Sequence, residues 1–230
     1  MIGMPIVVAL VGFGALLYWL LVATEGTYLG ARVVAQLYDA TASRYDKIKD
    51  LNYADELQYL GLPLAEALSH FRSPRVLDVA VGTGRLPLAL LRSGEMEGSI
   101  VALDRSSRML GEARAALSES DGTVVLVRGD AGALSFGDNA FDCVTCLEAL
   151  EFMPRPAETV REMVRVLGSG GVLLLSNRVG TDAWLFPGRM CGRGRLERHL
   201  GELGLESIET QRWQVHYDLI WARKPSASDL

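Results

Sequence analysis

The sequence predicts an α/β fold, a doubly wound and mostly parallel sheet preceded by one N-terminal transmembrane helix. Three observations carry that reading. Residues 1–24 hold no charged side chain. From Val76 onward, short β-rich runs alternate with helical stretches. The first of those runs ends in a glycine turn, Gly82-Thr83-Gly84, that opens into a helix. Strand–helix alternation implies a parallel sheet with helices on both faces. At 230 residues the chain accommodates one domain plus a short extension, and about 200 residues suffice to bury a core unaided.

Residues 5–23 are apolar nearly throughout, close to the roughly 20 that a helix needs to cross a bilayer. Tyr18 and Trp19 lie toward one end, where amphipathic rings favour the interface. A signal peptide would open on Lys or Arg and close on a small-residue cleavage site, and neither is evident. No basic residue precedes the segment, whereas Arg32, Arg44, Lys47 and Lys49 follow it. The positive-inside rule then predicts a single-pass cell-membrane protein with its body in the cytoplasm.

Residues 31–49 read as a connecting helical stretch. Residues 52–71 read as a second helix, with Leu57, Leu60, Leu64 and Leu68 near helical spacing. The predicted strands are 76–80, 99–103, 123–127, 141–146 and 172–176, with helices over 84–92, 107–117 and 156–166. A helix over 195–203 and two strands, 207–213 and 216–222, complete the chain. The expected organisation is an anchor over 1–24, a linker with lid helices over 25–72, and a main domain over 73–230. A formal net charge of −5 with 49% hydrophobic residues argues against nucleic-acid binding.

The three cysteines are too few and scattered for a disulfide framework. Cys143 and Cys146 share C-x-x-C spacing. On a strand, residues i and i+3 point to opposite faces, so both are expected in the core rather than on one metal.

Glycines at a strand-to-helix turn let a ligand approach the backbone. Asp104 ends the second strand twenty residues after Gly84. An acid there suits a ribose diol, for either a dinucleotide or S-adenosylmethionine. The dinucleotide fingerprint G-x-G-x-x-G/A is incomplete here, because Arg85, Leu86 and Pro87 follow Gly84. A third acid, Asp130 in Gly129-Asp130-Ala131, falls at the carboxyl edge of the sheet. It can accept from an adenine amino group, or serve as a turn residue. Both details favour S-adenosylmethionine.

On these residues the chain resembles the class I S-adenosylmethionine-dependent methyltransferases from about Tyr38 to Lys224. Val76-Leu-Asp78-x-Ala80-x-Gly82-Thr83-Gly84 is similar to their glycine loop. Asp104-x-Ser106-x-x-Met109-Leu110 resembles their ribose-acid strand and following helix. Asp130-Ala131-x-x-Leu134-x-Phe136, then Asp138-Asn-Ala-Phe141-Asp142, resembles the adenine-side loop and fourth strand. Arg161-Glu162 and Arg165-Val-Leu167-Gly-Ser-Gly170-Gly171 resemble the helix and turn before the fifth. The resemblance implies strand order 3-2-1-4-5-7-6 with the last strand antiparallel, and S-adenosyl-L-methionine as cofactor. It implies cofactor contacts at Tyr45, Asp78, Ala80, Gly82, Thr83, Gly84, Asp104, Arg105, Met109, Asp130, Ala131 and Leu147.

The run Glu148-Ala-Leu-Glu151-Phe152 resembles the E-x-x-E-H segment of quinone-biosynthesis O-methyltransferases, which implies catalytic roles for Glu148 and Glu151. Phe152 stands where that family has histidine, so no metal is expected. Tyr45-Asp46 resembles a pair that helps close a lid over the cofactor. Arg189, Arg193, Arg195 and Arg198 fall in an insert that commonly shapes the acceptor pocket, and an arginine cluster suits an acidic substrate or anionic headgroups. His70, His199 and His216 read as surface or capping residues. The expected activity is methylation of a small lipophilic acceptor, a quinone precursor or lipid headgroup. A non-catalytic, membrane-tethered cofactor-binding protein and a nicotinamide-dependent oxidoreductase are the alternatives.

Overall fold

The computed structural model describes residues 3–49, 53–120 and 122–226. An apolar helix, α1 (Gly3–Tyr18), continues through a widened π turn over Trp19–Ala23. Met4–Ala23 is long and apolar enough to cross a membrane, and none of its apolar window is buried. The chain then runs through α2 (Ala31–Thr41) and α3 (Tyr45–Ile48). A further helix is assembled from α4 (Tyr53–Glu56), a π turn at Leu57–Gly61 and α5 (Leu62–Leu68). Its expected first residue, Asn52, lies outside the described residues.

The sheet has seven strands in the order β3-β2-β1-β4-β5-β7-β6. They are β1 (Arg75–Val79), β2 (Ser99–Asp104), β3 (Val124–Arg128), β4 (Phe141–Cys146), β5 (Leu167–Arg178), β6 (Glu206–Arg212) and β7 (Tyr217–Arg223). The first five pair in parallel, and β7 runs antiparallel to both neighbours. This is the predicted architecture. β1, β4 and most of β5 are buried continuously because helices cover both faces. Edge strand β6 is polar and largely exposed, which discourages pairing with another chain.

Helices α6 (Arg85–Arg92), α7 (Ser107–Ala116), α8 (Pro156–Val166) and α9 (Arg195–Glu202) fill the two outer layers. On one face, Leu64 and Leu68 of α5 meet Leu86 and Leu90 of α6 over Val76, Cys143 and Leu174. Gly61 permits this approach, because a side chain there would collide with the Ala89 carbonyl. On the other face, Val160 and Met163 of α8 and Leu196 and Leu200 of α9 pack on Leu77, Val144, Cys146 and Leu173. Cys143 and Cys146 are thus free, buried and on opposite faces, as strand periodicity requires.

One element departs in extent from its expected span. β5 covers twelve residues rather than the five of 172–176. The glycine run 168–171 hides its start, because glycine lowers strand propensity. Pairing extends it at both ends: Leu167 faces Phe141 and Arg178 faces Tyr217.

Candidate functional site

A cavity of about 250 Å³ opens at the carboxyl ends of the central strands, where ligands bind in doubly wound sheets. Its floor is Ala80 and Gly82 after β1, Asp104 and Arg105 at the end of β2, Asp130 and Ala131 after β3, and Leu147 and Glu148 after β4. Its roof is α2, through Ala31, Val34, Ala35 and Tyr38, together with Tyr45.

The turn after β1 shows why this sequence makes an open floor. Ala80, Gly82 and Gly84 all adopt positive φ, at 61°, 57° and 93°. The two glycines serve different ends. A Cβ on Gly82 would meet nothing within 4 Å, so that backbone faces free space. A Cβ on Gly84 would lie 3.0 Å from Leu117 Cδ1, so Gly84 lets α7 pack against the turn. The Gly82 N–H donates to Asp104 Oδ2 at 2.9 Å and the Ser106 N–H to Oδ1 at 2.8 Å. Burial raises the Asp104 carboxyl above its usual range, and those backbone donors hold it part of the way down. Beneath the turn, Asp78 is buried and accepts from the Thr145 hydroxyl at 2.7 Å. Burial pushes its pKa to about 7. The hydroxyl and Arg85 oppose that shift, while Asp104 adds to it.

The α2–α3 segment is tied to this floor through Asp39, Asp46 and Lys49, the last on Glu148. Asp39 of α2 accepts from the Ser106 hydroxyl at 2.5 Å, and Asp46 accepts from the Thr83 hydroxyl at 2.6 Å. Thr83 therefore grips that segment rather than lining the cavity. Met109 is buried, and its N–H donates to the Ser106 side chain at 3.0 Å, capping α7. Of the twelve cofactor positions expected from sequence, Tyr45, Ala80, Gly82, Asp104, Arg105, Asp130, Ala131 and Leu147 line the cavity. Asp78, Thr83, Gly84 and Met109 support it from behind. Asp130 is more than half exposed, pairs with Arg105 at 3.1 Å and accepts from the Gly132 N–H at 3.0 Å. It thus forms the turn that its residue type favours, with further acceptor capacity remaining.

The two acids of the E-x-x-E run separate. Glu148 lines the cavity with φ 50°. Its carboxylate accepts from Lys49 at 2.9 Å, Arg85 at 2.5 Å and Gln214 at 3.2 Å. Burial tends to raise its carboxyl, but Lys49 and Arg85 outweigh that and hold it below the ordinary value. A carboxylate so neutralised is a poor proton acceptor. Glu151 is 2% exposed and lies outside the cavity. It accepts from Arg178 Nε at 2.9 Å and from the Tyr217 hydroxyl. Of the two acids expected to be catalytic, Glu148 is in the cavity lining and Glu151 is behind it. Phe152 accounts for the missing histidine: with Phe186 and Tyr217 it offers a ring face to the Arg178 guanidinium. His70, His199 and His216 are absent from the cavity lining. Sequence reading missed Asp39, Arg85 and Tyr38. The acid at Asp39, one residue after Tyr38 on a helix preceding Tyr45-Asp46, was the available signal.

Residues 77–175 match the family described as "Methyltransferase domain". The chain is 37% identical over 148 residues to the ubiquinone/menaquinone biosynthesis C-methyltransferase UbiE of Pseudomonas paraeruginosa. Over residues 77–175 these matches support a methyltransferase domain of the class I S-adenosylmethionine-dependent type. S-adenosylmethionine is this family's cofactor, and the open face of Gly82 beside the Asp104 carboxylate fits it. The UbiE of Pseudomonas putida is 36% identical over 148 residues. Each match covers 63% of this chain and 57% of the relative, so the likeness spans little more than half of those proteins. Among solved structures, the cyclase SpnF superposes with TM-score 0.70 at 22% identity, covering 86% of this chain and 97% of SpnF. A SAM-dependent methyltransferase of Aquifex aeolicus superposes at 0.56 with 15% identity, covering 75% and 98%. At those identities the structural likenesses show the fold.

Proposed function

We propose that this methyltransferase transfers a methyl group to a ring carbon of a small lipophilic acceptor of quinone-precursor type, at the cytoplasmic face of a cell membrane to which residues 1–24 tether it. The observation that supports this reading is the two-sided make-up of the cavity. Around the strand ends the lining is polar, with Asp104, Arg105 and Asp130. The α2 roof, through Ala31, Val34 and Ala35, and Phe152 and Met153 supply an apolar part, with Arg155 and Glu158 following in sequence. The apolar wall begins eight residues after the candidate span ends at Ala23. A site tethered to the surface that holds its substrate gains effective concentration without new contacts. The printed activity of the UbiE relatives, C-methylation in quinone biosynthesis, suggests the acceptor class.

Bound at the polar end, S-adenosylmethionine supplies a methyl already activated by its sulfonium charge. The residues that we assign to hold it are Asp104 for the ribose diol, Asp130 for the adenine edge, and the Gly82 backbone for close approach. Asp78, Thr83, Gly84 and Met109 shape the turns beneath. Tyr45 and α2 exclude water and align the reactants, which is the protein's main task in a displacement of this kind. Glu148 acts as a positioning residue: its pairs with Lys49 and Arg85 join the lid to the glycine-turn helix.

A second reading is a cofactor-binding protein without methyl transfer. Its support is the neutralised Glu148, together with a fold that the cyclase SpnF also carries. The deciding experiment incubates the full chain in native membranes with methyl-labelled S-adenosylmethionine and extracts the lipids. Label in an extracted quinone-type compound is expected. Calorimetric binding of S-adenosylmethionine without label in any small molecule would establish the second reading instead. Label in phospholipid would move the acceptor to a headgroup.

A further inference from the structure

We infer that the turn carrying Trp184 and Leu185, together with Arg155, Arg189 and Arg195, is a second membrane-contact surface that seats the domain on an anionic phospholipid bilayer next to the apolar helix. The inference rests on the reading that residues 4–23 lie in the bilayer. The aromatic end of that helix sets the level of the interface. Tyr18 is exposed, and Trp19 stacks on Tyr28 with ring centroids 4.9 Å apart. Tyr28 is in turn held by the body: its hydroxyl donates to the Pro187 carbonyl at 2.8 Å, and the Arg189 guanidinium lies 5.1 Å from its ring centre. Arg189 also donates to the Thr27 carbonyl at 3.0 Å. Pro187 and Arg189 therefore sit at the interfacial end of the helix.

Trp184 is three residues from Pro187, at most about 11 Å along the chain. It belongs to a short 3₁₀ stretch, Gly180–Leu185, whose neighbour Phe186 is buried in the core. That burial fixes the turn and leaves Trp184 84% exposed beside a partly exposed Leu185. An exposed tryptophan alone would carry no weight, since single apolar surface residues are common. Here Gly188 and Arg189, four and five residues further along the chain, line a groove with Arg155, Arg195 and one acid, Glu158, which pairs with Arg155 at 2.9 Å. Indole rings favour the headgroup level, and arginines near an anionic surface are attracted to it. Arg155 and Glu158 also line the cavity, so the groove adjoins its rim. Docking here would hold that rim against the lipid from which an apolar acceptor arrives.

The test reconstitutes the full chain into phosphatidylcholine vesicles with and without phosphatidylglycerol, using lipids brominated near the headgroup. Quenching assigned to residue 184 is the difference between the parent and Trp184→Phe. That difference is expected to be large with phosphatidylglycerol, smaller without it, and reduced by salt. Arg155→Gln and Arg195→Gln should each lower the docking equilibrium about fivefold, from about 1 kcal/mol per arginine. An alkaline carbonate wash tests the span separately. Retention after the wash with no quenching at residue 184 overturns the contact and leaves the span. Extraction by the wash of a chain whose residue 184 had been quenched overturns the span and keeps the contact. Quenching that is indifferent to phosphatidylglycerol and to both arginine substitutions overturns the anionic surface.

Discussion

At the Asp104 end of the cavity, the shape comes from backbone: three positive-φ residues after β1 and two N–H groups clamped on one carboxylate. At the Phe152 end, the shape comes from side-chain pairs brought together from distant segments. Arg178 is held there by Glu151, Tyr217 and three ring faces. The difference teaches where each end is vulnerable. A backbone-built edge loses ligand affinity when altered while the fold persists. An edge built from buried charges loses the fold first.

The largest effect is therefore expected at the Phe152 end. In Arg178→Met the Glu151 carboxylate, whose side chain is 1% exposed, is left without its cation. Breaking a buried pair on one side typically costs about 3–5 kcal/mol. Urea unfolding of the detergent-solubilised protein should show a loss of that size. Arg178→Met combined with Glu151→Leu should recover most of it, because no charge is then stranded. A single-variant loss under about 1 kcal/mol would mean that Glu151 reaches solvent or another partner.

The second prediction concerns Asp78, beneath the turn, where the two modes of construction meet. Its folded pKa of about 7 lies above the reference 3.8. Between those values the folded state binds more protons than the unfolded state, so stability must fall as pH rises from about 4 to about 7. The shift corresponds to at most roughly 4 kcal/mol. Asp78→Asn, which keeps the shape without the ionisation, should flatten the melting temperature across that window. Glu148 has the opposite sign, since its folded pKa is lowered: its contribution is lost as pH falls through that lowered value. An unchanged slope between pH 4 and 7 in Asp78→Asn would assign the dependence elsewhere.

The same contrast decides what was legible in the sequence. Gly82, Asp104 and Asp130 sit at strand ends whose positions follow from periodicity and turn residues, so a local reading finds them. The partners of Glu148 lie 99, 63 and 66 residues away in sequence. No local pattern encodes such a meeting, and the E-x-x-E spacing does not reveal that the two acids take different partners. Glu148 leaves β4 in a left-handed turn, whereas Glu151 starts back into the core. The departure at Phe152 was visible, but its packing on Arg178 depends on a residue 26 positions later in the fifth strand. Strand order followed from the family resemblance. The length of β5 did not, because pairing rather than propensity sets it.

The smallest effect sharpens the comparison within the backbone-built edge, between Asp104 and Asp130. Both are acids at strand ends, and sequence alone ranks them equally. Asp104 is partly buried and clamped, with its carboxylate fixed by Gly82 and Ser106. Asp130 is more than half exposed and shared with Arg105, itself well exposed. A hydrogen bond to a fixed, desolvated carboxylate contributes about 1.5–3 kcal/mol, so Asp104→Ala should weaken S-adenosylmethionine binding by roughly 10- to 150-fold. An exposed, solvent-screened contact contributes about 1 kcal/mol or less, so Asp130→Ala should weaken it by no more than about fivefold. Raising ionic strength from 0.05 to about 0.5 M should leave the Asp104 effect in place and shrink the Asp130 effect, because screening acts on exposed charge. Calorimetric titration of both variants at both salts measures all four numbers. Equal losses at Asp104 and Asp130, independent of salt, would show that ligand binding buries the Asp130 edge as deeply as the ribose acid. In that case the lid tied down by Asp39 and Asp46 must close further over the third strand than it does here.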